Sequence, residues 1–382
     1  MASIQPFTVA IPQTALNDLH TRLKRTRWPD ERSGAGWSRG VPLSYLRELA
    51  DYWRTAYDWR TQEVQLNAFP QFTTMIDGQR IHFLHVRSPE PDALPLIITH
   101  GYPGSIVEFM QIIEPLTDPR AHGGDPVDAF HVVAPSVPGF GFSTPVREPG
   151  WVVSRIARAW DELMKRLGYE RYGAQGGDIG SGVSGALSAL DHVVGAHINT
   201  DPLALALVGV PLPDEMPDLA EADAQNLERM RLYAPEGKGY LQIQGTRPQT
   251  LAYGLNDSPV AQLAWIVEKF KEWTDPAAKL PEDAVDRDQL LTNVSLYWFT
   301  GSGASAAHFI YDASHASDWA PASLAKQGWA VFGGAGVVIR RVIDPERQMA
   351  HWSTFERGGH FAAMEAPDLL VEDVRAYFHQ LR

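Results

Sequence analysis

The chain has no cysteine among its 382 residues. That excludes disulfides, thiolate nucleophiles and Cys-ligated metals, and leaves the redox compartment unreadable. No run of Lys and Arg rises above the acidic background: 33 basic against 46 acidic side chains give a formal net charge of −13, which argues against nucleic acid and anionic membrane surfaces as partners. Solubility alone accounts for that charge. No apolar span reaches the length needed to cross a bilayer, and the N-terminus has no basic segment followed by an apolar one, so the expectation is a soluble, cytoplasmic protein without a leader or membrane anchor. Internal repeats and low-complexity tracts are missing too. What is present is 44% hydrophobic residues in a chain long enough for a large core, as one catalytic domain with an insertion and an N-terminal extension.

Residues 1–90 begin rich in Pro and Trp and carry two amphipathic stretches, Ala15 to Arg27 and Leu43 to Tyr57, with apolar residues three and four apart. This part reads as a meander wrapped on the main domain. Over 91–204 strands alternate with helices: strands at 95–99, 130–134, 171–175 and 193–199, with helices from about 105, at 152–167 and at 180–190. Such alternation predicts an α/β fold with a mostly parallel sheet covered by helices on both faces. Residues 205–315 lose the strand signal and read as a helical cap. The core then resumes over 316–382, with strands at 327–332 and 350–355 and a helix at 367–381.

Chemistry enters at Tyr172-Gly173-Ala174-Gln175-Gly176-Gly177-Asp178-Ile179-Gly180. The glycines suit a tight strand-turn-helix elbow, which in many hydrolases holds a serine up at the sheet edge. Here the raised side chain is the carboxylate of Asp178. A carboxylate attacks saturated carbon and forms an alkyl ester that an activated water must cleave, which points to epoxides or alkyl halides. The competing reading makes Asp178 a plain helix N-cap. Upstream, the apolar run Leu94 to Thr99 ends in His100-Gly101-Tyr102-Pro103-Gly104, a loop whose N–H at Tyr102, with that of Ile179, forms a candidate oxyanion hole. Downstream, Arg357-Gly358-Gly359-His360-Phe361 supplies a candidate general base, His360, whose alternative is a buried structural histidine. Nucleophile first and histidine last is the order of the α/β-hydrolases.

These motifs, with Arg27-Trp28-Pro29, Asp58-Trp59-Arg60, Asp77-Gly78, Ile81-His82-Phe83-Leu84-His85, Leu255 to Val260, Glu268-Lys269-Phe270, Leu291-Thr292-Asn293-Val294 and Tyr297-Trp298, resemble from end to end the microsomal and juvenile-hormone branch of the epoxide hydrolases, in its soluble bacterial form. The resemblance implies an α/β-hydrolase fold, no cofactor and no metal. It also implies that Tyr240 in Gly239 to Gln244 and Tyr311 in Phe309 to Asp312 occupy the family's two ring-opening tyrosine positions, as phenols that donate to the epoxide oxygen. Where the family places the carboxylate that orients the histidine, the chain departs: Gly333-Gly334-Ala335-Gly336 follows strand Ala330 to Phe332. Asp201, just beyond the strand ending His197-Ile198-Asn199, is favoured as the replacement over Asp344, and a weakened or repurposed enzyme stays open.

Three formal matches carry nothing. Gly36-Trp37-Ser38-Arg39-Gly40 fits the serine-hydrolase pattern but follows no strand. Gly180 to Gly185 fits the dinucleotide fingerprint but reads better as small residues for helix packing. His82 and His85 point to opposite faces of one strand and so make no metal pair. The expected partner is a hydrophobic or aromatic epoxide, the aromatic cap residues Trp265, Trp273, Trp298 and Phe299 fitting either that or core packing; a homodimer is compatible with the sequence. The expected product is a vicinal diol, and the alternatives are a haloalkane or haloacid-type dehalogenase and a non-hydrolytic protein of secondary metabolism that binds or opens epoxides.

Overall fold

A computed structural model describes residues 3–199, 237–317, 322–333 and 340–382, together with positions 221, 224 and 228. Its centre is β4 (Leu94–Thr99), where Leu96, Ile97 and Ile98 have no exposed surface, the mark of a strand covered on both faces. Around it lie β1 (Gln5–Phe7), β2 (Gln71–Ile76), β3 (Gln79–Val86), β5 (Phe130–Pro135), β6 (Tyr172–Gly176), β7 (Val193–Asn199), β8 (Gln327–Val331) and β9 (His351–Thr354). The order across the nine-stranded sheet is β1-β2-β3-β5-β4-β6-β7-β8-β9. From β5 to β9 every pairing is parallel, whereas β1, β2 and β3 join antiparallel at one edge.

The helices in chain order are α1 (Gln13–Lys24), α2 (Leu43–Thr55), α3 (Trp59–Asn67), α4 (Ile113–Thr117), α5 (Val153–Arg166), α6 (Ile179–Ser188), α7 (Gly239–Gln244), α8 (Pro248–Asp257), α9 (Pro259–Trp273), α10 (Arg287–Thr300), α11 (Ser302–His315), α12 (Arg340–Ile343), α13 (Ala362–Glu365) and α14 (Pro367–His379). Among the described residues no helix is long and apolar enough to cross a membrane.

The N-terminal region does more than wrap the core. Asp77 and Gly78 both take positive φ, 49° and 76°, and turn β2 back into β3 as a two-residue hairpin, so three strands of the central sheet come from this segment. The same segment grips the cap: Trp53 donates through Nε1 to Ser295 Oγ at 2.9 Å, Tyr57 pairs with Thr292 Oγ1 at 3.0 Å and Tyr52 donates to Asp288 Oδ1 at 2.9 Å, all three partners on α10. Tyr45 donates to Glu282 at 2.8 Å just before it. Trp53 has no exposed surface. Trp53→Ala removes a large buried ring and one hydrogen bond to the Ser295 hydroxyl, and should cost about 4 kcal/mol. Urea unfolding measures the loss, and a cost below about 1 kcal/mol would mean that the helix pair is not held by this ring.

Candidate active site

Strand β6 is buried along its whole length and ends in the turn that lifts Asp178. Asp178 itself adopts φ 50°, ψ −120°, a left-handed conformation that strains a residue with a side chain. The turn can be that tight because Gly180 passes over the end of β4: a Cβ there would lie 1.9 Å from the carbonyl oxygen of Thr99. Gly180→Ala should therefore cost about 3 kcal/mol or more by forcing α6 away from β4, read as a drop in thermal midpoint together with lost activity. The same packing explains the small-residue run of α6, so the dinucleotide-like spacing is a packing pattern.

The side chain of Asp178 makes no capping bond to α6. Its Oδ1 instead accepts the backbone N–H of Tyr102 at 2.7 Å. Gly101 permits this approach, since a Cβ on it would meet the Asp178 Cβ at 2.2 Å. One of the two N–H groups expected of an oxyanion hole thus already holds an oxygen of the Asp178 carboxylate, and the other, that of Ile179, opens α6 at the next residue.

The Tyr102 loop is fixed from below and above. Below, Trp160 Nε1 donates to Thr99 Oγ1 at 3.0 Å, and the buried His100 ring, pushed down to about 4 by burial, accepts Val137 N–H at 3.1 Å as a neutral imidazole. Above, three contacts come from α10: Asn293 Nδ2 donates to Pro103 O at 2.8 Å, Ser105 Oγ donates to Asn293 Oδ1 at 2.7 Å, and Tyr297 OH donates to Gly104 O at 2.9 Å. Asn293 and Tyr297 thus do work that a reading of motifs without geometry leaves unassigned.

His360 faces the other carboxylate oxygen. Its Nε2 lies 3.9 Å from Asp178 Oδ2, with the two side chains 7% and 13% exposed. That gap is too long for a direct hydrogen bond and suits a group bridging the two, as a general base and the acyl centre it serves require. The histidine loop hangs from the end of α9: His360 N donates to Trp273 O at 2.8 Å, Gly358 N to Asp275 Oδ2 at 2.9 Å, and Glu365 accepts both Asp275 N at 2.7 Å and Phe361 N at 2.9 Å. Burial pushes the Glu365 carboxyl up to about 7 against those N–H groups and the nearby His360.

Of the two tyrosines, the structure brings Tyr240 to the nucleophile loop. On α7, its ring stacks on Tyr102 with centroids 5.9 Å apart and planes 4° apart, and meets Trp273 edge-on at 5.3 Å. Tyr311, on α11, is 36% exposed with its ring stacked on His315 at 4.2 Å; among the described residues no hydrogen bond or ring contact links it to Asp178 or Tyr240. Of the four cap aromatics, Trp265 donates to Tyr102 OH at 2.6 Å and Trp273 lies 4.9 Å from the His360 ring. Trp298 and Phe299 instead pack against Arg22 and Trp59 of the N-terminal segment.

Asp201 and Ala335 lie outside the described residues. Asp344 spends its carboxylate locally, accepting Gln348 N–H at 2.5 Å and Met349 N–H at 3.2 Å beside Arg340, and does not reach His360. Ser38 is exposed, with its hydroxyl donated to Ala35 O at 2.6 Å in the N-terminal segment. His82 bonds Gln71 and Ser136 in the interior while His85 bonds Tyr169, so the two imidazoles share no ligand.

One carboxyl beside the site has no counterpart in the sequence argument. Glu108 folds back on Gly104, filling the space a Cβ would need there, and burial pushes it up to about 8 while the nearby His360 and the backbone of Gly101 and Ser105 oppose the rise. A carboxyl raised in the folded state keeps a proton that the unfolded chain has already lost above its ordinary pKa of 4.5, so stability falls as pH rises from about 5 to about 8 and levels off beyond. The slope from this one group is at most about 1.4 kcal/mol per pH unit. Glu108→Gln should lessen the fall of the thermal midpoint over that window, leaving the share up to about pH 7 that the raised Glu365 contributes, and an unchanged slope would remove Glu108 as a source.

The chain is similar to known proteins along its whole length. Residues 4–109 match the family model described as epoxide hydrolase N terminus, and residues 95–242 match the one described as alpha/beta hydrolase fold. A candidate epoxide hydrolase of Stigmatella aurantiaca (strain DW4/3-1) is 45% identical over 391 residues, 99% of this chain and 86% of that protein. Epoxide hydrolase 1 of Sus scrofa is 35% identical across 98% of this chain and 88% of its own length. The solved structure of Aspergillus niger epoxide hydrolase, 32% identical, covers 100% of this chain and 97% of its own with a TM-score of 0.84. By sequence, fold and elbow, the chain belongs to the epoxide hydrolase family of the α/β-hydrolase fold.

Proposed function

We propose that the protein converts an epoxide and water to a vicinal diol through an ester on Asp178. The observation that carries the reading is the division of labour between the two oxygens of that carboxylate: Oδ1 on the Tyr102 N–H and Oδ2 toward His360. Oδ2 attacks an epoxide carbon, and the C–O bond of the ring breaks with its electron pair going to the epoxide oxygen. Tyr240 and, from α11, Tyr311 donate to that oxygen, which would otherwise leave as a strong base. His360 then takes a proton from water as the water attacks the ester carbon. Oδ1 becomes the oxyanion on the N–H groups of Tyr102 and Ile179, and collapse breaks the bond from Cγ to the ester oxygen, which leaves in the diol with the proton that His360 had taken.

Asp201 is the residue we assign to orient His360; the local bonds of Asp344 favour it over that residue. Tyr102, whose N–H holds Asp178, is joined in one aromatic cluster by Tyr240, Trp265 and Trp273, which supports a hydrophobic or aromatic epoxide as substrate. The acidic net charge is in keeping with work in the cytoplasm.

The test is a single turnover of styrene oxide by excess enzyme in oxygen-18 water. The ester route places solvent oxygen in the Asp178 carboxylate, raising the mass of its peptide by two units, and leaves the first diol with the enzyme's own oxygen. Label in the diol and none in the peptide would mean direct attack by water and would sink the proposal.

A further inference from the structure

Lys269 is the most deeply buried cation near the site, with 3% of its side chain exposed, and nothing in the steps above uses it. Lysine is almost never this buried without a partner. Here its Nζ lies 2.8 Å from Glu268 Oε1 and 2.7 Å from Glu272 Oε2. Those carboxylates are each about one-third exposed, so a pairing at the surface was open to the lysine. While paired with both, its ammonium also lies inward, 4.7 Å over the ring of Tyr240 and 5.6 Å from that of Trp273. Another ring neighbour of Tyr240 is Tyr102, whose N–H holds Asp178. A line of contacts therefore runs from the ammonium on α9, through two parallel phenols, to the nucleophile.

We propose that Lys269 is a positioning residue for ring opening: its charge on the face of Tyr240 holds that ring against Tyr102 and makes its O–H a stronger donor to the epoxide oxygen. The inference rests on Tyr240 being a ring-opening acid, as proposed above. The physical reason is that a cation on a π face stabilises the electron-rich phenolate more than the phenol, so partial or full proton transfer toward the opening epoxide becomes easier. The effect belongs to the first half-reaction alone. Hydrolysis of the Asp178 ester needs His360 and the oxyanion N–H groups, and gains nothing from a better acid at Tyr240.

Rapid-mixing kinetics on the full chain separate the two steps, with ester formation followed by intact mass and its decay by diol release. Lys269→Met, similar in length and uncharged, should slow ester formation about 10-fold, leave ester hydrolysis unchanged, and raise the alkaline limb of kcat/KM by about one pH unit. Lys269→Arg should keep the limb near its native place. Glu272→Gln removes a negative charge beside the same ammonium and should move the limb the other way, downward, which keeps a test in hand if Lys269→Met does not fold. A limb unmoved in Lys269→Met and Glu272→Gln, with both half-reactions slowed alike, would make Lys269 a packing residue and overturn the proposal. Tyr240→Phe separates the failures: if it leaves ester formation intact, the assignment of Tyr240 falls and the role of Lys269 with it, whereas a slow Tyr240→Phe beside an unmoved Lys269→Met limb rejects the tuning alone.

Discussion

Asp178→Asn is expected to stop diol formation almost completely, by at least about 10⁴-fold in kcat. The substitution is nearly isosteric, so the fold should survive with an unchanged far-ultraviolet spectrum and a thermal midpoint close to that of the parent. Chemistry fails for two reasons. An amide oxygen is a poor nucleophile toward saturated carbon, and the amide must also choose an orientation. With its oxygen on the Tyr102 N–H it keeps the 2.7 Å bond and points an NH₂ group at His360; turned over, it sets donor against donor. The measurement is steady-state diol formation from styrene oxide, with intact mass taken during turnover. Parent enzyme should carry a transient adduct of substrate mass and the variant none. Activity retained within about 10-fold would remove Asp178 from the mechanism.

His360→Gln should separate the half-reactions instead of abolishing both. Gln lacks a basic nitrogen, so the ester should still form but decay about 10³-fold more slowly or worse. The readout is a burst close to one equivalent of substrate consumed per enzyme, a persistent adduct on the Asp178 peptide, and almost no diol. The 3.9 Å separation between Nε2 and Oδ2 is what makes the prediction specific, because the imidazole stands off from the nucleophile at the distance a bridging water needs. Equal loss of ester formation and decay would mean that the histidine also serves the first step, and the half-reactions would have to be reassigned.

The central sheet and the elbow were legible because both are written locally. A run such as Leu94 to Thr99 can only be a strand covered on both sides, and glycines packed around one acidic residue fit little besides a tight turn. Asp77-Gly78 between alternating residues carries its own hairpin signal, yet that the hairpin joins the central sheet is a tertiary fact: β3 pairs with β5, some 50 positions away, and only geometry reveals it. The supporting residues were less legible for the same reason. Nothing about Asn293, Tyr297 or Lys269 in sequence tells a buried hydrogen bond or a cation over a ring from ordinary helix surface, because each acquires its role from a residue far away in the chain, Asn293 and Tyr297 from the Tyr102 loop and Lys269 from Tyr240 on α7. Glu108 is the instructive case, an acid that helical spacing would put on a solvated face and that the loop at Gly104 folds inward. Ala335 shows the converse, a position that resemblance marks as acidic and that the chain fills with a methyl group.

The grip of α2 on α10 has a consequence for how the enzyme exchanges its contents. A helix attached only through its own chain could swing away like a lid; α10 is also tied at Trp53, Tyr57 and Tyr52 to a segment that is itself part of the sheet. Because α10 also holds the Tyr102 loop, moving that helix away would disturb the N–H that holds Asp178 Oδ1. Among the described residues, traffic past α10 is then left to side-chain rotations, which are fast and small and scarcely sense the solvent. Turnover should accordingly be nearly indifferent to added viscogen, and the upper size of an acceptable epoxide should be set by the rings that line its path and not by any swing of the roof.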